Sequence, residues 1–214
     1  MNPQTASAEI LRLFTLAPVI PVLTIEDAAS AAPLARALVA GGLPVLEVTL
    51  RTPTAPDAIR AMARVPGAVV GAGTVITPED AITARDAGAR FAVSPGATDR
   101  LLDACETGGL PLLPGAATAS EAMRLSERGY HVQKFFPAEA AGGPDTLRAI
   151  GAPLPKLRFC PTGGITAQNA PDYLRLANVA CVGGSWIAPV DAIAAQDWDR
   201  IERLARDAAA LPRA

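Results

Sequence analysis

Residues 44–50 read PVLEVTL, and their alternation decides the fold class. Val45, Glu47 and Thr49 share one face of an extended strand, with Arg51 next in the series. Leu46, Val48 and Leu50 share the other face. The all-aliphatic face suits helices packed outside a parallel sheet. Glu47 then turns towards an interior, and Arg51 follows about 13 Å further along, at about 3.3 Å per residue, near the C-terminal rim. Similar short β-rich segments recur along the chain. They are VIPVLTI (19–25), PVLEVTL itself, VVGAGTV (69–75), FAVSPG (91–96), PLLPGAAT (111–118), HVQKFF (131–136), RFCPTGG (158–164) and VACVGGS (179–185). Successive starts lie 20 to 27 residues apart. Ala/Leu/Arg-rich segments of helical periodicity fill the gaps.

Helix signals punctuate these gaps. Thr77-Pro78-Glu79-Asp80 puts a capping residue before a first-turn Pro, and Gly88 follows as a stop. Thr118-Ala119-Ser120-Glu121 is a capping box closed by Gly129. Leu34 and Leu38, with Ala31, Ala35 and Val39, form one apolar stripe before Gly41-Gly42. A further helix is expected over residues 5–16. Eight strands alternating with helices predict a parallel α/β protein, a (β/α)8 TIM barrel with an N-terminal helix. The structural alternative is an open doubly wound sheet. No linker or low-complexity stretch divides the chain. The expected organisation is one domain over 1–214, with an N-terminal helix in 1–17 and the barrel in 18–214.

Composition bounds the function. Of 214 residues 50% are hydrophobic, 19% charged and only 4% aromatic. With 45 alanines the core must be small-residue aliphatic. The net charge of −2 argues against a nucleic-acid groove or an anionic membrane surface as partner. Three cysteines (Cys105, Cys160, Cys181) lack CxxC spacing, so neither a disulfide framework nor a zinc knuckle is expected, and a reducing cytoplasm is the simplest home. The first residues, MNPQTASAEILRLF, do not read as a signal peptide. With a single His, no metal site is expected. GAGT (71–74) lacks the third Gly of a dinucleotide loop, and there is no Walker motif.

Only two of the 19 basic residues are lysines, Lys134 and Lys156. A lysine kept inside an apolar strand points to amine chemistry that Arg cannot perform. Val132, Lys134 and Phe136 share one face of the sixth segment, and Phe135-Phe136-Pro137 leaves little polar surface for snorkelling. Layers inside such barrels come from alternate strands, so Glu47 of strand two and Lys134 of strand six can meet. A structural ion pair is the bland reading of the two. The functional one is a lysine nucleophile beside a general acid/base. Gly163-Gly164 and Gly183-Gly184-Ser185 end strands seven and eight, where barrels frequently bind phosphate through backbone N–H groups. His131 falls on the face opposite Lys134 and reads as structural. The residues alone thus describe a carbonyl-handling barrel enzyme with a phosphorylated substrate.

LEVTLRT (46–52), GAGTV (71–75), SPG (94–96), PG (114–115), KFFPAE (134–139), RFCPTGGI (158–165) and GGSW (183–186) together carry a further inference. With them the chain strongly resembles the class I aldolases that cleave 2-keto-3-deoxy-6-phosphogluconate and often 4-hydroxy-2-oxoglutarate. The resemblance runs from about residue 18 to the C-terminus. It implies that Lys134 is the Schiff-base lysine and Glu47 the general acid/base. Arg51 and Thr74 would hold the pyruvate carboxylate, with Pro95 and Phe136 lining the pocket. Thr162 would contact a substrate hydroxyl, and Gly163, Gly164, Gly184 and Ser185 would bind phosphate. It also implies a (β/α)8 homotrimer that needs no metal or cofactor. Its small-molecule partners would be the 2-keto-3-deoxy sugar acid phosphate, pyruvate and glyceraldehyde 3-phosphate. Near alternatives are an aldolase for the galactonate epimer or for 4-hydroxy-2-oxoglutarate. More distant ones are a phosphosugar isomerase or epimerase using Glu47 without an imine, and a catalytically silent binding protein of the same fold.

Overall fold

The computed structural model describes residues 1–214. Helix α1 (Pro3–Phe14) leads into strand β1 (Val19–Leu23), a 3-10 turn (Ala28–Ser30) and α2 (Ala31–Ala40). There follow β2 (Val45–Thr49), α3 (Ala55–Met62), β3 (Val69–Gly73), α4 (Pro78–Asp86), β4 (Ala92–Val93) and α5 (Asp99–Gly108). Next come β5 (Leu112–Leu113), β6 (Gly115–Ala116), α6 (Ala119–Arg128), β7 (Val132–Phe135) and α7 (Gly143–Gly151). The chain ends with β8 (Arg158–Pro161), α8 (Ala170–Leu174), β9 (Val182–Gly184), α9 (Val190–Ala194) and α10 (Trp198–Ala209).

The strands form a curled parallel sheet in two hydrogen-bonded parts. One has the order β5-β4-β3-β2-β1-β9, the other β6-β7-β8. Only Pro114 separates β5 from β6. Its carbonyl accepts from the Lys134 N–H at 2.8 Å, but it has no N–H to offer. The expected fifth strand is therefore two short segments, and nine strands stand where eight were expected. Isolated parallel bridges at Phe159–Val179 and Thr162–Gly183 link β8 to the β9 side. The α/β class and the N-terminal helix agree with the sequence reading.

Helix boundaries follow their caps. Thr77 and Thr118 each accept from the third residue of the following helix, and Asp80 and Glu121 reach back, so both helices start in capping boxes. Gly129 closes α6 in the left-handed region, as its sequence position suggested. The N-terminal helix begins two residues earlier than expected, because Asn2 rather than a later residue caps it by accepting from the Thr5 N–H.

Two apolar layers hold the fold together. The outer one, of 51 buried residues, fills the space between strands and helices. The inner one has 11 and includes Ile20, Val45, Phe91, Leu113, Val132, Cys160 and Cys181 from the concave side. Ile10, Leu13 and Phe14 of α1 join this inner layer, with Phe14 meeting Phe91 edge-on at 5.9 Å. Residues 3–14 thus cap the end of the sheet where the strands begin. All three cysteines are free and buried. Burial, with Glu106 nearby, pushes the Cys105 thiol up to about 11. Burial beside Cys160 pushes Cys181 up as well. No helix is long and apolar enough to cross a membrane.

Candidate active site

Strand parity puts Glu47 and Lys134 on the concave side. Their side chains are 5% and 7% exposed, and Lys134 Nζ lies 3.4 Å from Glu47 Oε1. Removing two charges from water costs several kcal/mol each, roughly, so such a pair persists only where its geometry is supported. Gly73 provides that support on β3. A Cβ added there would sit 2.2 Å from Glu47 Oε1, so the carboxylate occupies space that only glycine leaves free. Thr49, the next residue on the Glu47 face, is fully buried; its hydroxyl donates to the Leu23 carbonyl at 3.0 Å and meets Thr24 Oγ1 at 3.1 Å. This ties the C-terminal ends of β1 and β2 together.

Lys134 Nζ also lies 5.2 Å from the centroid of the Phe136 ring, within cation–π range. Phe136 forms part of the wall of an open cavity of about 150 Å³. Arg51, Thr162, Gly163, Gly164, Gly184 and Ser185 line it too, so seven of the expected site residues meet here. Thr74 joins them through Arg51, whose Nε donates to Thr74 Oγ1 at 3.3 Å. Thr74 has φ +60, which is unusual for a β-branched residue. Strain of this kind costs roughly 1–3 kcal/mol and collects at functional sites. Pro95, like Glu47, Thr74 and Lys134, is not among the residues that line this cavity; its carbonyl packs against Gly115, the register partner of Lys134, where an added Cβ would lie 2.2 Å away.

Gly183, part of the Gly183-Gly184-Ser185 strand end read from the sequence, lines the cavity too, as do Val22, Thr24 and Ile165, none of which was singled out from the sequence as binding substrate. Val22 is the register partner of Glu47, so pairing β1 with β2 supplies the signal that strand parity alone lacks. The N–H groups of Gly163, Gly164 and Ser185 find no acceptor within the protein, which leaves them free for an anion. His131 lies at the far end of its strand; its backbone N–H donates to Ser7 Oγ at 3.0 Å and its Nδ1 is buried without a partner.

A second cavity lies between α5 and α6, lined by Asp99, Leu102, Glu121, Arg124 and Arg128 among others. Arg128 pairs there with Asp103, with Glu106 at 2.8 Å and with Asp99 at 3.5 Å. These bonds raise the Arg128 pKa and satisfy its guanidinium. That cavity holds no nucleophile beside a base, whereas the strand-end cavity lies next to both.

Parallel α/β folds carry their chemistry at the C-terminal ends of the strands. Fold and cavity together put the chain among the α/β enzymes. A family model described as "Aldolase: KDPG and KHG aldolase" matches residues 10–204. The KHG/KDPG aldolase of Escherichia coli K12 is 52% identical over 97% of this chain and 96% of its own length. A crystal structure of the Zymomonas mobilis ZM4 2-keto-3-deoxy-6-phosphogluconate aldolase with 3-phosphoglycerate is 48% identical. It superposes with a TM-score of 0.93 over 97% of this chain and 98% of that one. The Legionella pneumophila KDPG aldolase, with pyruvate captured at low pH as a covalent carbinolamine intermediate, is 49% identical with a TM-score of 0.91, covering 94% and 98%. The chain belongs to the KDPG and KHG aldolase family.

Proposed function

We propose that this chain is a class I aldolase that reversibly cleaves 2-keto-3-deoxy-6-phosphogluconate to pyruvate and glyceraldehyde 3-phosphate, as in the Entner–Doudoroff pathway. The observation that carries the reading is the buried Lys134–Glu47 pair beside a cavity lined by the Gly163-Gly164 and Gly184-Ser185 turns, with Phe136 between pair and cavity. It is the arrangement expected where an amine must meet a ketone at one end of a substrate and backbone amides must hold a phosphate at the other.

The chemistry follows from these groups. The neutral Lys134 amine attacks C2 of the keto acid, and the resulting carbinolamine loses water to give a protonated imine. Glu47 moves protons during that step and then takes the C4 hydroxyl proton, directly or through a water. The C3–C4 electron pair flows into the imine as the bond breaks. Glyceraldehyde 3-phosphate leaves with its new carbonyl at the former C4. The remaining enamine takes a proton at C3, and hydrolysis of the imine frees pyruvate and Lys134. Arg51, supported by Thr74, fixes the planar carboxylate with a forked contact that Lys cannot reproduce. Phe136 packs beside the bound pyruvate and Thr162 contacts a substrate hydroxyl. No metal or cofactor enters the scheme. Pro95 lines the pyruvate end of the pocket in this reading, with its carbonyl packed on Gly115, the register partner of Lys134.

The same site accommodates 4-hydroxy-2-oxoglutarate, which shares the pyruvate half and carries a carboxylate instead of the phosphate-bearing chain. The name of the Escherichia coli relative, a KHG/KDPG aldolase, supports this second activity. Side-by-side kcat/KM values on the gluconate, galactonate and hydroxyglutarate substrates rank them. The strand arrangement is read as a closed (β/α)8 barrel forming one domain over residues 1–214, supported by the Thr162–Gly183 bridge and by the near-continuity of β5 and β6. A cytoplasmic homotrimer completes the reading. Exposed Ile76, Ile82 and Met123, each about half exposed, offer apolar surface for subunit contact. Sedimentation equilibrium at the monomer mass of 21.9 kDa would overturn the trimer.

Incubation with pyruvate followed by borohydride tests the central claim. Peptide mass spectrometry should find the reduced adduct on Lys134, with activity lost in proportion. Folded protein that yields no adduct would overturn the imine mechanism and favour proton abstraction by Glu47 alone, as in an isomerase.

A further inference from the structure

The turn that follows β8 is held from outside the cavity by two neighbouring segments. The N–H of Ala138 donates to the Thr162 carbonyl at 2.8 Å and that of Glu139 to the Gly163 carbonyl at 3.1 Å. On the other side, Asn169 Nδ2 donates to the Gly164 carbonyl at 3.1 Å, while its Oδ1 accepts from the Thr166 N–H at 2.7 Å. With their carbonyls engaged in this way, Gly163 and Gly164 keep their own N–H groups free of protein acceptors.

Glu139 closes the turn from above. Its Cβ and Cγ occupy the space a side chain at Gly164 would need, since an added Cβ would lie 2.7 Å from both. Gly164 has φ +76, a conformation other residues resist. The Glu139 carboxylate accepts a hydrogen bond from the Tyr173 hydroxyl on α8. Tyr173 is fully buried apart from that contact. Burial and the bond to Glu139 hold its phenol pKa above the ordinary value, so it remains a donor.

A carboxylate beside an anion-binding turn is a liability unless it is anchored. Released from Tyr173, it would both unpack Gly164 and bring a mobile negative charge to the phosphate. We propose that Glu139 and Tyr173 form a positioning pair that shapes the Gly163-Gly164 turn for phosphate and so sets the preference for phosphorylated 2-keto acids. The proposal rests on the aldolase reading above. Neither residue lines the cavity, and both bear on it only through the glycine turn, so their effect falls on binding of the phosphorylated end.

Three variants test it: Tyr173→Phe, Glu139→Ala and Glu139→Gln. Tyr173→Phe removes one hydroxyl and keeps the ring. Its KM for 2-keto-3-deoxy-6-phosphogluconate should rise about fivefold to tenfold, the usual worth of one such hydrogen bond, with kcat little changed. The pyruvate concentration giving half-maximal borohydride trapping should stay as in the parent protein. Glu139→Ala leaves the Tyr173 hydroxyl without its partner and uncovers Gly164, and should likewise raise KM for the phosphorylated substrate without moving pyruvate trapping. Glu139→Gln keeps both the acceptor and the packing over Gly164 and should restore the parent KM. An equal fall with phosphorylated substrate and with pyruvate would overturn the proposal in favour of a general structural role. An unchanged KM in both Tyr173→Phe and Glu139→Ala would overturn it too. If the parent protein traps no pyruvate, the aldolase reading itself fails; normal trapping with an unmoved KM sinks only the positioning pair.

Discussion

Replacing Lys134 by Arg is expected to lower kcat by at least about a thousandfold, which is on the order of 4 kcal/mol of barrier. The guanidinium keeps a positive charge beside Glu47 but has no neutral amine to offer a ketone. Pyruvate trapping by borohydride should vanish with turnover. The fold should survive, because the buried carboxylate keeps a cationic partner. Lys134→Met makes the contrast. It also abolishes turnover, but it leaves Glu47 buried and unpaired, a defect that costs about 3–5 kcal/mol in comparable pairs. Thermal unfolding should therefore separate the two variants while activity does not. Retained turnover in Lys134→Arg would remove the covalent mechanism altogether.

Glu47→Gln should cost about a hundredfold to a thousandfold in kcat, in the range of a single positioned acid/base. Its expected signature differs from that of the lysine variants. The amine is still present, so long incubation with pyruvate and borohydride should still label Lys134, only more slowly. Gly73→Ala provides a check that leaves both groups intact. The added methyl would collide with Glu47 Oε1 at 2.2 Å, so either the carboxylate or β3 must move. A displacement of about 1 Å can cost on the order of a hundredfold. A Gly73→Ala enzyme with full activity would show that Glu47 need not stand where it does. Should Glu47→Gln lose nothing, proton transfer must come from another group, and Thr162 and water would be the first candidates.

Much of this was legible in the chain because strand parity is a strong constraint. The alternation in 44–50 was enough to send Glu47 inward and Leu46 and Val48 outward, and all three are buried as that requires. The same parity applied to 131–136 brought Lys134 to the same interior. The capping boxes at Thr77 and Thr118 fixed where α4 and α6 begin. Parity has no hold on breaks within a strand, and the fifth segment was misread for that reason. Pro114 divides the fifth strand because a residue without an N–H cannot carry the ladder through. The positive φ of Thr74 and the hold of Glu139 and Tyr173 on the glycine turn depend on residues far apart in sequence. Spacing alone carries no trace of such contacts.

The scarcity of lysine has a practical side. Lys134 is buried, whereas Lys156 is exposed and stands just before β8 begins, at the end of the strands away from the cavity. A resin or dye that couples to lysine amines thus finds its accessible target on one pole of the molecule. Tethered through it, the protein would sit with its cavity facing the bulk solution. An immobilised catalyst of fixed orientation needs no engineered tag here, because the folded chain already presents its one exposed lysine on the side where substrate does not enter.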